Sequence, residues 1–391
     1  MLAVATQDPT TVAETYVRQH MRLVFPDETL GIALGGTDPG IGVPFHIVEP
    51  RRGGILGKAL AARTWARTGY AIALTWPQEQ HLQEVLQKAN VTAVLAEFGT
   101  TGCALRSFCK RLGLPLIVNF HGYDATVLPK RRDMRHAYYL LARDAAKVVC
   151  GSRHFATILV RIGFPASKVE VVPCGIEVSD FMADTQKDPN LIAAVGRLTE
   201  KKRPDLMLRA FAQAADVCPD LRLEVIGDGP RRSVCNDLVR DLGIEDRVVL
   251  HGARTHSEVC ALLSRASVLV QHSATARNGD QESQGISLLE AMASGMAVVA
   301  TDHNGFSETV VHGVTGLLSP EKDVAAMAGN IIELTQDHTR TRTMGAAGRS
   351  RVIERFDAAT LSAQLRQVIL SALSGTTESG PGLAPDWTGA T

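Results

Sequence analysis

The sequence predicts an α/β protein built from two doubly wound parallel-sheet domains. Short apolar segments alternate with amphipathic helical segments along almost the whole chain, which is typical of parallel sheets with helices on both faces. The chain has 391 residues, more than one ordinary hydrophobic core accommodates. A polar stretch with an Asp-Pro pair, residues 182–190, separates two sets of strand segments and is predicted to be the interdomain linker.

These strand segments define the predicted domains, 1–181 and 191–357, which are followed by a helix over 358–373. A tail over 374–391, rich in Gly, Pro, Ser and Thr, is predicted to be flexible. The strands predicted in the first domain are Leu2–Ala5, Thr29–Ala33, Ala71–Thr75, Ala93–Ala96, Leu116–Asn119, Lys147–Cys150 and Val169–Val172. Those predicted in the second domain are Leu191–Val195, Arg222–Ile226, Val248–Leu250, Val268–Val270 and Val298–Ala300.

Composition narrows the class of protein. The chain carries 41 basic and 41 acidic residues, and nothing in this balance indicates nucleic acid as a partner. The first residues lack the basic and apolar regions of a secretory signal, and the apolar runs are shorter than a membrane span requires. Seven cysteines without a C-x-x-C pair fit a reducing compartment, so a cytoplasmic protein is expected.

Residues 280–301, DQESQGISLLEAMASGMAVVAT, carry the most specific signal in the chain. Glu282 and Glu290 stand eight positions apart, and a helical apolar run from Ile286 to Met292 carries the second of them. A glycine turn at a helix N-terminus offers free N–H groups to an anion, most often phosphate. We expect Glu282 at the mouth of such a site and Glu290 about two turns into the helix. The alternative is an ordinary amphipathic helix flanked by two solvated glutamates.

This segment resembles the E-x7-E signature of the retaining nucleotide-sugar glycosyltransferases of family 4, including bacterial enzymes that build exopolysaccharides of the colanic-acid type. The resemblance implies the GT-B fold, in which two Rossmann-like domains face each other across a cleft and the last helix crosses back to the first domain. It places Glu282 beside the donor sugar as a catalytic residue and Glu290 on the ribose. The diphosphate would then lie on the donor-binding residues Ser283, Gly285, Ile286 and Ser287.

A second motif, AVGRLTEKKRPD (194–205), matches the G-R-x4-K pattern of the same family. Arg197 and Lys202 flank a turn at a strand end and can converge on one diphosphate, to which Arg presents a planar fork and Lys a point charge. Arg203 stands where many members have glycine, which leaves open whether Lys201 or Lys202 is the ligand. A solvated charge run is the alternative.

Two glycine turns that follow strands complete the expected donor site. Gly227 and Gly229 allow close approach of the backbone to a ligand, and the resemblance places Arg231 near the base or phosphate. The segment VVLHGA (248–253) matches the family's base-contacting loop, which here contains Gly252 and Arg254.

In the first domain, a buried strand runs into His121-Gly122-Tyr123-Asp124. A residue at the carboxyl end of a parallel strand lies where α/β proteins bind ligands. The motif resembles the family's H-G-x-D, which implies that His121 is a catalytic residue beside the donor sugar and that Tyr123 and Asp124 face the acceptor. A core histidine is the alternative. Ser152 is predicted to cap a helix, with Arg153 facing the cleft.

The turn after the first strand is similar to that of family members that build polysaccharides. By this resemblance Thr11, Glu14 and Thr15 face the acceptor, although Thr11 can equally cap the helix that follows. The basic run with Lys130, Arg131, Arg132 and Arg135 is either a solvated helix start or a contact with an anionic membrane surface or acceptor. Peripheral contact with the inner face of the membrane through 130–135 is therefore an alternative to a purely cytoplasmic protein.

The resemblance implies a retaining hexosyltransferase that uses a nucleotide-diphosphate sugar, most simply a UDP-sugar. The acceptor would be a hydroxyl of a saccharide, a lipid-linked saccharide or a small molecule. No D-x-D pair stands in a plausible donor loop, so no metal and no cofactor is expected; Arg197, Lys202 and a helix N-terminus would offset the diphosphate charge. An epimerase and a non-catalytic nucleotide-sugar-binding protein of the same fold are the alternatives.

Overall fold

The structure is a computed structural model that describes residues 1–9, 15–49, 54–183 and 186–375. The chain divides into two compact units. The first comprises Met1–Gly175 together with the segment that begins at Ala358, and the second comprises Ile176–Asp357. The division therefore falls earlier in the chain than the boundary expected after residue 181. Residues 188–190, expected in the linker, belong to a strand of the second unit.

The first unit is built on a seven-stranded, wholly parallel sheet. Its strands are β1 (Leu2–Thr6), β2 (Thr29–Ala33), β3 (Phe45–Ile47), β4 (Ala93–Glu97), β5 (Leu116–Phe120), β6 (Lys147–Cys150) and β7 (Val169–Val171). The strand order is β3-β2-β1-β4-β5-β6-β7, so the direction of winding reverses between β1 and β4. In open α/β sheets, ligands bind at the carboxyl ends of the strands beside such a reversal. Glu97, the last residue of β4, lies at that point.

Within the described residues, seven α-helices connect these strands. They are α1 (Thr15–Leu23), α2 (Gly54–Thr68), α3 (Trp76–Lys88), α4 (Gly99–Leu112), α5 (Tyr123–Thr126), α6 (Arg132–Asp144) and α7 (Arg153–Arg161). One face of the sheet packs on a core that includes Phe108, Phe120 and Tyr138, and the opposite face packs on a second core that includes Met21 and Leu365. Both faces are therefore covered, as uninterrupted apolar strands require.

The strand predicted over Ala71–Thr75 is wrong, because this segment is a turn that leads into α3. Thr75 precedes the first helical residue, and its N–H group donates to Gln78 Oε1 over 2.9 Å. Together with Pro77, this capping arrangement favours a helix start over a short apolar strand. Strand β3 has only three residues, and the sequence analysis missed it.

The second unit is built on a six-stranded parallel sheet. Its strands are β8 (Asp188–Val195), β9 (Arg222–Ile226), β10 (Val248–Gly252), β11 (Ala266–Gln271), β12 (Ala297–Thr301) and β13 (Gly316–Ser319), in the order β10-β9-β8-β11-β12-β13. The reversal lies between β8 and β11, so the loops that follow these two strands are placed to bind a ligand. Strand β13 was not predicted.

The helices of the second unit are α8 (Pro204–Val217), α9 (Arg232–Asp241), α10 (His256–Arg265), α11 (Ile286–Ala293), α12 (Phe306–Thr309), α13 (Val324–Gln336) and α14 (His338–Arg355). Helix α8 begins at Pro204, as predicted. The last helix, α15 (Ala358–Ser374), belongs to the first unit and packs on α1, β4 and β6. Within the part of the chain that the structure describes, no helix is long and apolar enough to cross a membrane.

Candidate active site

The glycine turn at the start of α11 is built by its packing. Gly285 immediately precedes the helix with φ +79°, a left-handed conformation that side chains other than glycine rarely adopt. A Cβ atom here would lie 2.7 Å from the ring of Phe306, so glycine is required on two grounds. Helix α11 begins at Ile286, directly after this glycine, so its first N–H groups lie at the turn where the phosphate site is predicted. Glu290 lies one turn into this helix, and not two turns as predicted.

Glu282 is held by two lysines. Its Oε1 atom lies 3.1 Å from Lys201 Nζ and its Oε2 atom lies 3.0 Å from Lys202 Nζ. Burial by itself would raise the pKa of Glu282, but Lys202 and Lys201 outweigh burial and hold this pKa well below its ordinary value. Glu282 is therefore a carboxylate with both oxygens engaged. Such a group can orient cations but is poorly available as a nucleophile.

The structure distinguishes Lys201 from Lys202. Lys201 is 6% exposed, and its ammonium group lies near three acceptors: Asp280 Oδ1 at 3.2 Å, the Gln281 carbonyl at 3.3 Å and Glu282. An ammonium group has three N–H donors, so these partners saturate it. Lys202 pairs with Glu282 alone among the described residues. Lys202 therefore keeps N–H donors that can bind a ligand, whereas Lys201 stabilises the loop before α11.

Arg197 is exposed, and its guanidinium group forms no hydrogen bond or ion pair with any residue that the structure describes. It follows Gly196 at the carboxyl end of β8, and a Cβ atom on Gly196 would lie 3.7 Å from Lys202 Nζ. The cation of Lys202 therefore lies beside the turn that carries Arg197. These are the two residues that the sequence pattern selected for a diphosphate.

The loops after β8 and β9 are joined backbone to backbone. Leu198 N–H donates to the Asp228 carbonyl over 2.9 Å, and Arg231 N–H donates to the Leu198 carbonyl over 3.0 Å. A Cβ atom on Gly229 would lie 2.6 Å from the Leu198 carbonyl oxygen, so glycine is needed there. The predicted glycine turn therefore supports the loop that carries Arg197.

The side chains of Arg231 and Arg254 have protein partners. Arg231 lies 3.4 Å from Asp205 on α8, and Arg254 lies 3.5 Å from Glu258 on α10. Gly252 has φ +78°, and a Cβ atom there would lie 2.7 Å from the guanidinium group of Arg232. At Gly252 the backbone, rather than a side chain, is therefore presented at the end of β10.

Glu290 differs from Glu282 in its surroundings. Its carboxyl group forms no hydrogen bond or ion pair with a described residue, and burial raises its pKa, although His256 and Lys202 reduce this effect. The Ser287 hydroxyl donates to Gln271 Oε1 over 2.6 Å, so Ser287 is already engaged, whereas Ser283 is partly exposed in the turn. Glu290 is thus a half-buried acceptor that is free to bind a ligand's hydroxyl groups.

His303 supports the loop that carries Glu282, and His272 follows β11; sequence patterns identified neither histidine. Glu282 N–H donates to His303 Nε2 over 3.2 Å, so the proton of this buried ring lies on Nδ1, which donates to Glu321. His272, at the end of β11, accepts from Lys322 N–H at Nε2, and its buried Nδ1 atom has no partner. Burial, aided by Arg203, lowers the pKa of His272 to about 4, so the ring is neutral at pH 7.

A small cavity of about 30 Å³ lies between the carboxyl ends of β8 and β11. Gly196, Arg197, Lys202 and His272 are among the residues that line it. This volume suits a single water molecule. An unpaired buried donor beside a cavity of this size is a place where a water or a ligand oxygen would be stabilised.

In the first unit, Glu97 is the centre of a polar cluster at the carboxyl ends of β4 and β5. It is fully buried and accepts hydrogen bonds from His20 Nδ1 at 2.6 Å, His121 Nε2 at 3.0 Å and Asn119 Nδ2 at 3.1 Å. The ring of His121 also contacts Tyr16 and Phe98. His121 therefore lies at the predicted strand end, but as part of a network. A lone Glu in the apolar run AVLAEF (93–98) was the signal that could have identified Glu97.

The charges in this cluster stabilise each other. Burial would raise the pKa of Glu97, but His20 and His121 outweigh burial and lower this pKa from 4.5 to about 2. Burial would lower the pKa of His121, but Cys174 and Glu97 outweigh it and raise this pKa above 6.5. At neutral pH the pair is an imidazolium and a carboxylate, so His121 presents positive charge at the carboxyl edge of the sheet.

The other residues expected on the acceptor side differ in placement. Asp124 is buried, and its two oxygens accept from the N–H groups of His121 (2.9 Å) and Gly99 (2.8 Å). Its carboxylate therefore holds the His121 turn in place instead of facing outward. Tyr123 is 50% exposed, and Thr15 is the first residue of α1. Thr11 and Glu14 lie outside the described residues.

The remaining predicted residues are at helix starts. The Ser152 hydroxyl accepts from Phe155 N–H over 3.3 Å, so Ser152 caps α7 as predicted, and Arg153 is exposed beside it. Lys130, Arg131, Arg132 and Arg135 are exposed at the start of α6, where Arg131 pairs with Asp133. Across the described ranges, no three His, Cys, Asp or Glu side chains converge in a way that could hold a metal ion.

Comparison with known proteins finds matches to two family models. Residues 42–180 match the family model of Glycosyltransferase Family 4, and residues 177–351 match that of Glycosyl transferases group 1. The chain is 29% identical over 280 residues to the amylovoran biosynthesis glycosyltransferase AmsK of Erwinia amylovora, an alignment that covers 70% of this chain and 69% of that protein.

A second relative is the GDP-mannose-dependent alpha-(1-6)-phosphatidylinositol monomannoside mannosyltransferase of Mycolicibacterium smegmatis. It is 28% identical over 328 residues, which cover 78% of this chain and 85% of that protein. Among solved structures, Anabaena HepE in complex with UDP superposes with a TM-score of 0.77 at 18% identity, covering 95% of this chain and all of that one. This likeness confirms the predicted fold class, two parallel-sheet α/β domains of GT-B type.

Proposed function

Since the chain is a glycosyltransferase that belongs to family 4, we propose that it transfers a hexose from a UDP-sugar to a hydroxyl group of a saccharide or lipid-linked saccharide, with retention of configuration. One observation supports the donor site above all others. The unpaired guanidinium of Arg197 and the partly free ammonium of Lys202 lie together at the end of β8, beside the winding reversal of the second sheet.

In this proposal the diphosphate binds Arg197, Lys202 and the N–H groups at the start of α11. Charge-assisted hydrogen bonds from guanidinium and ammonium groups are stronger than neutral ones, and a helix N-terminus adds partial positive charge. These three sources offset the charge that develops on the leaving diphosphate. The proposal therefore includes no metal requirement.

The two glutamates take different roles. Glu290, a half-buried acceptor without a protein partner, accepts hydrogen bonds from the ribose hydroxyls. Glu282 keeps Lys202 in place beside the diphosphate, and its carboxylate and the adjacent turn meet the hydroxyl groups of the donor sugar.

Both oxygens of Glu282 are engaged by lysines, which argues against a covalent intermediate on this residue, so the proposed retention takes place by same-face attack. The acceptor oxygen attacks the anomeric carbon on the face from which the diphosphate leaves. Its proton passes to the departing β-phosphate oxygen as the bond from the anomeric carbon to that oxygen breaks. The protein stabilises the positively charged sugar and the leaving group by fixed dipoles and cations.

His121 is proposed to bind the donor sugar, in keeping with the family pattern. Cys174 and Glu97 outweigh burial and raise the pKa of His121, so the ring is charged and can donate hydrogen bonds. We expect His121→Ala to lower kcat while UDP affinity stays unchanged, because the groups that bind the nucleotide lie in the second unit.

The choice of UDP rests on the UDP complex of the fold neighbour HepE. A GDP-sugar is the second candidate, because a relative at 28% identity is named as GDP-mannose-dependent. Donor hydrolysis measured with UDP-, GDP- and ADP-sugars separates the two. Faster turnover of a GDP-sugar than of every UDP-sugar would reject UDP and leave the rest of the proposal standing.

Calorimetric titration with UDP tests the donor site itself. Arg197→Ala removes a charge-assisted contact, so UDP binding is expected to weaken by about 1.5–3 kcal/mol. Arg240→Ala is the matched control, since Arg240 is an exposed arginine of the same unit that pairs with Asp237. Equal affinity of wild type and Arg197→Ala would reject Arg197 as a diphosphate ligand.

A further inference from the structure

The first unit contains a second concave site that the proposed function does not use. It is a groove of about 560 Å³ between the end of α2, the second half of α4 and the second half of α6. We call it the basic groove. Its floor and walls include Thr68 and Gly69, which close α2 against α6: a Cβ atom on Gly69 would lie 2.5 Å from Leu140.

The basic groove lies at the edge of the sheet opposite to the Glu97 cluster. Helix α4 starts just after β4 ends, beside Glu97, and it ends at Leu112, just before β5 begins. Helix α6 likewise ends at Asp144, just before β6 begins. Most of the groove residues come from the carboxyl halves of α2, α4 and α6, so they line the edge where the strands begin.

Charge in the groove is strongly positive. Five basic side chains line it: Arg67, Arg106, Lys110, Arg111 and Arg143. Two carboxylates lie against them, since Glu79 pairs with two of the arginines and Asp144 with the other two arginines and the lysine. Five cations against two anions leave an excess of three positive charges. Much of this charge is exposed to solvent, because the side chains of Lys110 and Arg143 are each 57% exposed.

Large aromatic and apolar side chains surround the same groove. Trp65 lines it and is 55% exposed, and Trp76, which lies 5.5 Å from the guanidinium group of Arg111, is 58% exposed. Tyr139, which stands one helical turn before the lining residue Arg143 on α6, is 67% exposed. A single exposed apolar side chain is ordinary, but three exposed aromatic side chains around one cationic groove are not.

We propose that the basic groove is the surface by which this protein rests on a bilayer that contains anionic phospholipids. Lipid phosphates enter the groove and pair with Lys110 and Arg143, while the indoles and Tyr139 lie at the level of the headgroups. Trp and Tyr favour that interface because their apolar body and polar edge are both satisfied there. A soluble phosphate would satisfy the cations but would leave the exposed indoles in water, so the aromatic rim favours a membrane over a soluble anion.

Vesicle co-sedimentation of the full chain tests this inference without any nucleotide, so its outcome is independent of the proposed donor. Binding is expected to vesicles with phosphatidylglycerol, to weaken with salt, and to be absent for pure phosphatidylcholine. Each basic residue near an anionic surface changes partitioning about fivefold. The double variant Lys110→Gln/Arg143→Gln, which leaves the Arg106–Asp144 pair intact, should therefore bind about 25-fold more weakly.

Two matched double variants control for charge alone. Arg222→Gln/Arg240→Gln removes two exposed, carboxylate-paired arginines of the second unit and should bind as wild type does. Lys130→Gln/Arg132→Gln removes two exposed charges at the start of α6 and should also leave binding unchanged. Thermal unfolding of each variant checks that the fold is intact. Loss of binding in the α6-start variant, with the groove variant unaffected, would overturn the inference.

Tryptophan fluorescence supplies an independent readout. Two of the three tryptophans, Trp65 and Trp76, lie at the groove, so anionic vesicles should shift the emission to the blue and brominated lipids should quench it. Trp65→Phe/Trp76→Phe should abolish both effects. No binding of wild type to anionic vesicles, or unshifted emission on vesicle binding, would overturn the membrane inference. Binding of inorganic pyrophosphate that Arg197→Ala keeps and Lys110→Gln/Arg143→Gln loses would show instead a soluble-anion site in the groove.

Discussion

Replacing Lys201 and Lys202 one at a time should separate a structural lysine from a ligand-binding lysine. Lys201→Met leaves Asp280 and the Gln281 carbonyl without their buried cation and leaves Glu282 with Lys202 alone. Removing one partner of a buried ion pair costs about 3–5 kcal/mol. The low end, about 3 kcal/mol of unfolding free energy, applies here because Glu282 keeps Lys202 and the Asp280 side chain is 18% exposed.

Lys202→Met should act mainly on the ligand. Glu282 retains Lys201, so the expected loss of stability is only about 1 kcal/mol. Loss of one charge-assisted contact to the diphosphate costs about 1.5–3 kcal/mol, which is about 12- to 160-fold in Kd for UDP. Methionine keeps most of the apolar stem in both variants, so differences in packing are small.

Urea unfolding and UDP calorimetry on both variants give the two free energies directly. The expected pattern is a large loss of stability with Lys201→Met and a large loss of affinity with Lys202→Met. If Lys201→Met instead weakens UDP at unchanged stability while Lys202→Met binds normally, the assignment of the two lysines is reversed and the reasoning from their partners fails.

Three further predictions concern protons and metal. Because burial raises the pKa of Glu290, binding of ribose to its carboxylate should release protons at pH values just above the ordinary pKa of 4.5. Calorimetry in buffers of different ionisation enthalpy measures this release, and Glu290→Gln should remove it. The pKa of Glu97 is lowered, so its carboxylate contributes to the free energy of unfolding above about pH 4.5, and this contribution is lost as the pH falls towards 2. The pKa of His121 is raised, so its contribution is present below about pH 6.5 and is lost as the pH rises. Glu97→Gln should therefore lower the free energy of unfolding most between about pH 4.5 and pH 6.5. A difference between variant and wild type that does not vary with pH would contradict the charged Glu97–His121 pair. Transferase activity should survive excess EDTA, and activity that EDTA abolishes and Mg²⁺ or Mn²⁺ restores would contradict the role given to Arg197 and Lys202.

Local patterns predicted most of the fold because local chemistry determines it. Uninterrupted apolar runs gave eleven of the predicted strands, which lie within the sheets, and Ser152 and Pro204 marked helix starts by their capping chemistry. The failure at Ala71–Thr75 has the same origin. An apolar run of five residues suits a strand, but the start signal of α3, with Thr75, Pro77 and Gln78, overrode it.

The partners of the site residues could not be predicted, because they are tertiary. The sequence placed Lys201 and Lys202 equally near a ligand, and only the positions of Asp280 and the Gln281 carbonyl distinguish them. His303 and Glu321 stand far from Glu282 along the chain, yet they orient its backbone. Only Glu97 had a local signal, since a carboxylate inside an apolar strand is stable only with buried partners.

The stereochemistry of transfer tests the central claim most directly. With an α-linked UDP-hexose as donor and a saccharide acceptor, proton NMR of the product measures the coupling constant at the new anomeric centre. The same-face mechanism predicts an α-linked product and none in the Arg197→Ala/Lys202→Met double variant. A β-linked product would contradict retention, and transfer that the double variant performs as fast as the wild type would contradict the roles assigned to Arg197 and Lys202.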